Sequence, residues 1–436
     1  MSRKVNMIAL VLAVLLLSGC SLRVLDDLYQ VPKRSDEFNN LQSAIDRNLG
    51  DLEYCAPLSG ENLQTVQMAD LDGDGVQEYL LFAKGTTEKP LQILIFQVQD
   101  GEYVLADTIQ SHGSAFDLVE YAQMDDSPGY ELIVGCQISE QVARSVSVYR
   151  LQDGKAVSLM SANYSKFLTC DLVADEPSEL MVLRPGESDE DNGLAEWYRY
   201  SNGTLARSSQ ISLSGAADRL KRIEVGLLHD GQTAVYVDIA VGASSVMTDV
   251  FAVVDGQFTN ISADRIETIR NDYVYAEDID NDGIIELPGL IKMRPPYGRP
   301  TPAMQYLIRW YAISVDAQQA DKRYTYHNLH SGWYITLDGD WGERVAVTQQ
   351  GSAYEFFVWN EDYSTPKKIL TVYAFTGTDR KLQATMDGRF AIYQDDSLVY
   401  AARLEEAAAE YGINQENMID RFHLIRQDWK TQEVTK

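Results

Sequence analysis

The amino-acid sequence predicts a mainly β fold: a β-propeller of about five four-stranded blades, followed by a small C-terminal α+β domain. Three observations predict this architecture. The 436-residue chain is 45% hydrophobic and 23% charged, a globular composition that excludes a wholly disordered protein. Short runs of alternating apolar and polar residues follow one another between turn sequences. A unit of about 50 residues that contains four such runs recurs along the chain.

The net charge of -28 bears on the class of partner. The chain has 37 basic and 65 acidic residues, whereas phosphate binding requires an excess of Lys and Arg. We therefore expect no nucleic-acid partner and no attachment to anionic lipid through a basic face. A solvated acidic surface without any special partner is the expected explanation of the charge.

The N-terminus has the pattern of a secretory signal. A short basic start precedes an apolar run over residues 7–17, which is shorter than the roughly 20 residues that span a bilayer. The run ends in Leu17-Ser18-Gly19-Cys20, which resembles the lipobox of bacterial lipoproteins. The resemblance implies that residues 1–19 are a signal peptide, that Cys20 is lipidated, and that the rest of the chain is extracytoplasmic and anchored to the bacterial membrane. An ordinary secretory signal with a chance cysteine is the alternative.

Residues 20–61 are predicted to be a lipidated tether and a short helix. Ser35 can cap that helix, apolar side chains then fall near one face, and Gly50 can end it.

Three cysteines remain after Cys20. Because Cys55, Cys136 and Cys170 are odd in number, at most one intramolecular disulfide can form. No C-x-x-C pair is present, which argues against a zinc ribbon or a thioredoxin-type site. We expect buried, unreactive thiols.

Residues 62–330 contain the repeating unit. Its second strand starts at a glutamate in four of five units, and the marker positions are Glu78, Glu131, Glu179, Ala234 and Glu286. The differences between these residue numbers are 53, 48, 55 and 52. One blade cannot bury both of its faces, so neighbouring blades must stack. A pair of β-sandwiches with coincidental turn loops is the alternative.

Two nine-residue loops carry acids at positions 1, 3, 5 and 9. They read Asp70-Leu71-Asp72-Gly73-Asp74-Gly75-Val76-Gln77-Glu78 and Asp278-Ile279-Asp280-Asn281-Asp282-Gly283-Ile284-Ile285-Glu286. Alternate acids on a tight loop converge on one point, and calcium prefers about six to eight hard oxygen ligands. The sequence therefore predicts two Ca²⁺ sites. The predicted ligands are the carboxylates of Asp70, Asp72, Asp74 and Glu78 with the Val76 carbonyl, and those of Asp278, Asp280, Asp282 and Glu286 with the Ile284 carbonyl. A polar turn without an ion is the alternative.

These loops and their flanking strands resemble the FG-GAP and VCBS repeats of integrin-like β-propellers. The resemblance covers about residues 62–330 and is strongest in the first and fifth units. It implies a calcium-binding propeller, here as part of a bacterial surface lipoprotein. In the second unit Asp125 and Glu131 remain but other ligand positions are replaced, and the third unit, with Asp175 and Glu179, is weaker still. We expect no ion in either.

The repeat of about 50 residues does not continue after residue 330. Several strand patterns precede an Ala/Glu-rich helix pattern that stops at Gly412, and Asn414 can cap a last helix. Strands followed by helices predict a small α+β domain over residues 331–436.

The motifs of common hydrolases, zinc proteases and nucleotide-binding proteins do not occur in the sequence. His327 and His330 form a candidate metal pair, but no acidic third ligand lies at a fixed spacing, so packing or surface roles are expected.

The proline-rich segment over residues 293–302 is unusual for a hairpin connection. It carries Arg294, Tyr297 and Arg299, a composition typical of interaction hot spots, which makes it a candidate partner-binding loop. The expected role is that of a rigid cover packed beside Trp310 and Tyr311.

Two functions fit these observations. The first is a non-enzymatic binding or adhesion scaffold, stabilised by calcium, whose partner is an unknown protein or glycan. The second is an extracytoplasmic carbohydrate-active enzyme that uses paired carboxylates in the propeller funnel. The missing catalytic motifs favour the first.

Overall fold

The structure is a computed structural model that describes residues 36–425, apart from gaps at 139–142, 175–176, 189–190, 272–273, 297, 301, 303–304, 338 and 340. The predicted signal peptide, Cys20 and Ser35 lie outside the described residues. None of the described helices has the length and apolar character needed to cross a membrane.

Antiparallel sheets dominate the described residues, which confirms the mainly β class. Each of the first four sheets has four successive strands, and the first has an additional short strand. The first sheet comprises β1 (Glu53–Tyr54), β2 (Val66–Ala69), β3 (Glu78–Lys84), β4 (Leu91–Gln99) and β5 (Glu102–Ser111). The second comprises β6 (Ala115–Ala122), β7 (Glu131–Gln137), β8 (Arg144–Gln152) and β9 (Lys155–Asn163). The third comprises β10 (Lys166–Cys170), β11 (Glu179–Arg184), β12 (Leu194–Ser201) and β13 (Thr204–Ser212). The fourth comprises β14 (Leu220–Leu227), β15 (Thr233–Val241), β16 (Ser245–Val254) and β17 (Gln257–Asn260).

The last two sheets have five strands each and depart from sequential order. The fifth comprises β18 (Leu287–Lys292), β19 (Tyr306–Ile313), β20 (Gln319–Asn328), β21 (Trp333–Leu337) and, from the end of the described chain, β27 (Phe422–Leu424). The sixth comprises β22 (Val345–Gln350), β23 (Ala353–Trp359), β24 (Pro366–Thr376), β25 (Phe390–Gln394) and β26 (Leu398–Leu404), with β26 between β24 and β25.

Helices are short and few among the described residues. They are α1 (Asp36–Leu49), α2 (Arg380–Gln383) and α3 (Gln415–Arg421). Asn414 caps α3 as predicted, in a capping box with Asn417. The Ala/Glu-rich pattern forms a 3-10 helix, Glu406–Tyr411, which ends at Gly412.

Tight hairpin turns join the third and fourth strands of the first four sheets. Asp100, Asp153, Asn202 and Asp255 have φ between 50° and 53°, and a glycine with positive φ follows each. Asp and Asn tolerate this left-handed conformation, and the resulting turn matches the twist of the paired strands.

Apolar side chains fill the space between each pair of consecutive sheets. Phe82 of the first sheet meets Phe116 of the second, with ring centroids 5.1 Å apart. Trp197 of the third stacks on Phe258 of the fourth at 5.6 Å. Further clusters join the second sheet to the third and the fourth to the fifth. Each sheet therefore buries its faces against its neighbours in the chain, as the repeat predicts.

The two ends of this series are covered by helical segments. Leu41, Ala44 and Ile45 of α1 pack on Leu94 and Phe96 of the first sheet. At the other end, Ala384 lies just after α2 and packs on the sixth sheet. Among the described residues, no hydrophobic cluster contains side chains from both the first and the sixth sheet. The structure thus contains six packed sheets instead of about five, and closure into a ring stays a prediction.

The sixth sheet belongs to the region for which a separate α+β domain was predicted. The predicted boundary at residue 331 lies between β20 and β21, which are paired strands of one sheet. The ring of Trp333 on β21 contacts those of Tyr326 and Tyr354 in a core that the fifth and sixth sheets share. The chain after residue 330 therefore completes the fifth sheet and continues the series, because its strands pair and pack with those before it.

Candidate metal loops

Each predicted calcium loop leads directly into a β-strand. The first joins β2 to β3, and Glu78 is the first residue of β3. The second precedes β18, and its last residue, Glu286, pairs with Glu277 in an isolated bridge. The two loops share one backbone turn: φ is 74° and 85° at positions 4 and 6 of the first loop, and 60° and 84° in the second. Glycine at position 6 makes this turn without steric cost.

The carboxylates of the first loop organise the backbone of that loop. Asp70 accepts hydrogen bonds from the Gly73 amide at 2.7 Å and from the Gly75 amide at 3.0 Å. Asp74 accepts one from the Val76 amide at 2.7 Å. Such local bonds hold the loop closed around its acidic side chains.

Three carboxylates of the first loop converge. Asp70, Asp72 and Glu78 each offer one oxygen, and these oxygens lie within 4.8 Å of one another. Burial raises the pKa of Glu78, and burial together with the charges of neighbouring aspartates raises that of Asp72. A cation at this point relieves the repulsion, so the residues present fit a calcium ion. Asp74 lies outside this group.

The second loop brings a different subset together. The oxygens of Asp278, Asp280 and Asp282 lie within 4.8 Å of one another, and Glu286 is not in the group. Asp280 Oδ1 is buried and has no hydrogen-bond partner among the described residues. Asp280 Oδ2 accepts a hydrogen bond from Arg323 on β20 at 3.0 Å. A guanidinium therefore already supplies positive charge beside this loop.

A side chain from a neighbouring strand reaches position 3 of three loops. In the first loop Gln97 Nε2 donates to Asp72 Oδ2 at 2.9 Å and to Glu78 Oε1 at 3.2 Å. In the second unit Arg150 donates to Asp125 at 2.8 Å, and Arg323 has this role in the fifth unit. The amide of Gln97 is neutral and the two guanidiniums are cationic, so the partner of position 3 brings no positive charge to the first loop.

The sequence interpretation did not include these partners, although a signal existed. Gln97 follows Asp72 by 25 residues, and Arg150 follows Asp125 by the same 25. The corresponding spacing in the fifth unit is 43, because a longer connection intervenes.

The glutamate that marks each unit has a structural role that does not depend on metal. Its buried carboxylate accepts a hydrogen bond from the backbone amide seven residues earlier. The pairs are Leu71 to Glu78 at 2.7 Å, Met124 to Glu131 at 2.6 Å, Leu172 to Glu179 at 2.8 Å and Ile279 to Glu286 at 3.1 Å. The third unit keeps this bond although Val173 replaces the acid at position 3 of its loop.

Burial raises the pKa of both Glu131 and Glu179 to about 7. Each residue is at most 1% exposed. A group whose pKa is higher in the folded state stabilises the fold fully below its unfolded pKa, and that contribution is lost as the pH rises through the folded pKa.

We expect Glu179→Gln to gain in stability relative to the parent protein as the pH rises, because the amide does not ionise. The melting temperatures of both proteins, measured at about pH 5 and about pH 8, give the comparison. The difference should shift in favour of the variant at the higher pH. An equal difference at both values would contradict the assigned pKa.

Consecutive loops are joined by backbone hydrogen bonds between sheets. The Tyr130 amide donates to the Asp70 carbonyl at 2.9 Å, and the Ser178 amide donates to the Gln123 carbonyl at 2.9 Å. The first loop also touches Gly129 so closely that a Cβ there would lie 2.4 Å from the Leu71 carbonyl oxygen. The first metal loop therefore lies at the junction of the first and second sheets.

The two histidines behave as packing and surface residues, as expected. His327 is fully buried and stacks on Tyr334 with ring centroids 4.8 Å apart. Burial lowers the pKa of His327 to about 3, so the ring is neutral at physiological pH. His330 is exposed.

The proline-rich segment packs on the sixth sheet. Arg299 forms an ion pair with Glu355 at 3.1 Å. The guanidinium of Arg294 lies 5.4 Å from the centre of the Trp359 ring, and its carbonyl accepts a hydrogen bond from that indole at 2.6 Å. Both arginines are exposed, and Tyr297 lies outside the described residues. Within the described residues, the segment thus covers Trp359.

The cysteines of the described chain are free thiols. Burial raises the pKa of Cys136 to about 12 and also raises that of Cys170. These two thiols are therefore unreactive, as expected.

Comparisons with known proteins gave distant likenesses to solved structures. No protein-family model and no curated protein matches the chain. A protein from Lactobacillus plantarum is 13% identical, with 72% of this chain and 86% of that chain covered and a TM-score of 0.29. The rhamnogalacturonan lyase YesW is 11% identical, with 72% and 74% covered and a TM-score of 0.27. The exotype rhamnogalacturonan lyase YesX is 12% identical, with 74% and 69% covered and a TM-score of 0.27.

Proposed function

We propose that this chain is a lipid-anchored extracytoplasmic scaffold, built as a β-propeller, that binds a protein or glycan partner without catalysing a reaction. The observation that carries the proposal is the first acidic loop. Its carboxylates converge within 4.8 Å and are held by the loop's own backbone, at the junction of two sheets. A loop of this kind rigidifies a frame rather than forming a reaction centre.

Calcium is the proposed resident ion at both loops. When bound, it supplies two positive charges and accepts carboxylate and carbonyl oxygens as ligands. In the first loop Asp70, Asp72 and Glu78 would hold it, with Asp74 and the Val76 carbonyl as the further predicted ligands. In the second loop Asp278, Asp280 and Asp282 would hold it, but Arg323 competes for Asp280. We therefore expect the first loop to bind calcium more tightly than the second.

The chemistry of the cleft between the second and third sheets favours binding over catalysis. Glu196 is a carboxylate in the lining of that cleft. Although burial opposes it, hydrogen bonds from Arg184, Tyr198 and Arg207 lower the pKa of Glu196. A glycosidase requires a second carboxyl group with a raised pKa nearby, and the lining residues do not include one.

Anchoring through Cys20 rests on the sequence Leu17-Ser18-Gly19-Cys20. We expect Cys20→Ala to abolish fatty-acid labelling and to leave the precursor uncleaved after Gly19, because the thiol is the acceptor in the lipobox reaction. Metabolic labelling with a fatty acid, followed by gel analysis of precursor and mature forms, measures both effects. Normal labelling of the variant would contradict the anchor.

The scaffold is tested by binding and turnover on one panel of purified glycans and surface proteins. The mature, non-lipidated chain should show saturable binding to at least one of them in calcium, and weaker binding in chelator. Asp72→Asn should weaken that binding in calcium. Turnover of a glycan by the parent protein would contradict the proposal and favour the enzyme.

A further inference from the structure

A cleft with several charged side chains in its lining opens between the second and third sheets. Its volume is about 590 Å³ and its lining includes Arg144, Tyr164, Arg184, Glu196, Tyr198 and Arg207. Strand β11 runs from Glu179, beside the third loop, to Arg184 in the cleft. The cleft therefore lies at the opposite end of the sheets from the acidic loops.

One wall of the cleft is built around a buried carboxylate. Glu196 is 1% exposed, and its Oε1 accepts hydrogen bonds from Arg184 at 2.8 Å and from Arg207 at 2.5 Å. The Tyr198 hydroxyl donates to Oε2 at 2.8 Å. Because two guanidiniums share one carboxylate, this wall has an excess of one positive charge.

The other wall holds a third guanidinium. Arg144 lies 3.5 Å from Asp117 Oδ2, an oxygen that also accepts a hydrogen bond from the Tyr164 hydroxyl at 2.6 Å. The pKa of Lys166 is lowered mainly by burial and then by the nearby charge of Arg144. The two walls thus carry three arginines against two carboxylates, in a chain of net charge -28.

The guanidiniums retain capacity for a ligand. Arg207 is 48% exposed and Arg144 is 34% exposed. Within the described residues, one of the three nitrogens of Arg207 is hydrogen-bonded. Glu187 and Asp191 are exposed on the nearby connection between β11 and β12, and neither is among the lining residues.

We propose that this cleft binds an oxyanion, a carboxylate or phosphate carried by an acidic glycan or a related small molecule. Guanidiniums hold such groups through paired, charge-assisted hydrogen bonds. The volume falls within the range of small-ligand sites, about 300–1,000 Å³. Because Tyr164 and Tyr198 are at most 9% exposed, charge supplies the recognition, not stacking on aromatic rings. The inference deepens the proposed scaffold function by giving it a ligand class.

The test is titration calorimetry of the full mature chain with three probes: digalacturonate, glycerol phosphate and neutral lactose. We expect binding of at least one anionic probe and none of lactose, and the two anionic arms distinguish a carboxylate from a phosphate ligand. Arg207→Gln should weaken binding about tenfold or more. Arg207 is suited to substitution because Glu196 keeps its bonds from Arg184 and Tyr198. Arg309→Gln, which changes a guanidinium on the fifth sheet, is the matched control and should leave binding unchanged.

The proposal would be overturned by any of three results: equal binding of lactose, absence of binding by both anions, or unchanged affinity in Arg207→Gln. Glu187→Gln should tighten binding, since it removes a nearby negative charge, and weaker binding would count against the electrostatic account. Each titration is run in calcium and in chelator. Oxyanion binding that persists in both would uphold the cleft even if the calcium-dependent scaffold fails.

Discussion

Arg270→Met is expected to lower the free energy of unfolding by about 3–5 kcal/mol, the usual cost of removing one partner from a buried ion pair. Arg270 and Asp238 form an ion pair at 2.7 Å, and each side chain is 2% exposed. Without the guanidinium, Asp238 keeps hydrogen bonds from Thr248 and Ala276 but becomes an uncompensated buried charge. The effect follows from the high free energy of an ion in a medium of low dielectric constant.

Urea unfolding followed by circular dichroism measures this change. The matched control is Lys367→Gln, which removes an ion pair with Glu410 whose side chains are more than half exposed. Solvent screens exposed pairs, which contribute little to stability, so the control should differ little from the parent. The double variant Asp238→Asn with Arg270→Met should recover part of the loss. A cost for Arg270→Met no larger than that of the control would contradict the buried-pair account.

This pair matters for the site because it fixes the approach to the second loop. Arg270 exchanges backbone hydrogen bonds with Val246 on β16, and its Nη1 donates to the Thr268 carbonyl. Arg270 thereby holds the connection that leads to Asp278 against the fourth sheet. We expect Arg270→Met to weaken calcium binding at the second loop more than at the first.

Calcium is expected to raise the stability of the parent protein by about 2.7 kcal/mol when its concentration exceeds the dissociation constant of the first site a hundredfold. Asp72→Asn should lose most of this gain, because Asp72 is one of the three converging carboxylates and its burial raises its pKa. We expect this gain in stability to include the contact between the first and second sheets, because the Asp70 carbonyl also accepts a hydrogen bond from the Tyr130 amide.

Differential scanning calorimetry in calcium and in chelator provides the measurement. Asp153→Asn is the control, because Asp153 is an exposed turn residue whose positive φ asparagine tolerates. It should keep the full calcium effect. If the parent protein gives the same melting curve in calcium and in chelator, the loops are polar turns that calcium does not stabilise.

Local signals account for the parts of the fold that the sequence predicted. Strand alternation and the turns at Asp100, Asp153, Asn202 and Asp255 involve neighbours along the chain, and the structure contains them. The sixth sheet and the pairing of β27 with β21 depend on contacts between residues far apart in sequence. The repeat does not continue after residue 330, so the sequence pattern there predicts a separate domain and does not show this pairing.

The candidate site likewise has features that local sequence predicts and features that it does not. The spacing of acids within each loop predicted that carboxylates converge, and three of four do so in each loop. The sequence could not show that Asp74 turns to the Val76 amide or that Arg323 reaches Asp280. These features depend on the loop backbone and on a strand 43 residues away. The marker glutamate was assigned as a ligand, while its bond to the amide seven residues earlier was missed.

Isothermal titration with calcium tests the central claim most directly, when applied to the parent, Asp72→Asn and Arg323→Gln. The account predicts two ions on the parent, one bound more tightly than the other, and loss of the tighter one in Asp72→Asn. Arg323→Gln should tighten the weaker site, since it replaces a competing guanidinium with the amide that Gln97 provides at the first loop. Absence of calcium binding at millimolar concentration, or identical titrations of all three proteins, would contradict it.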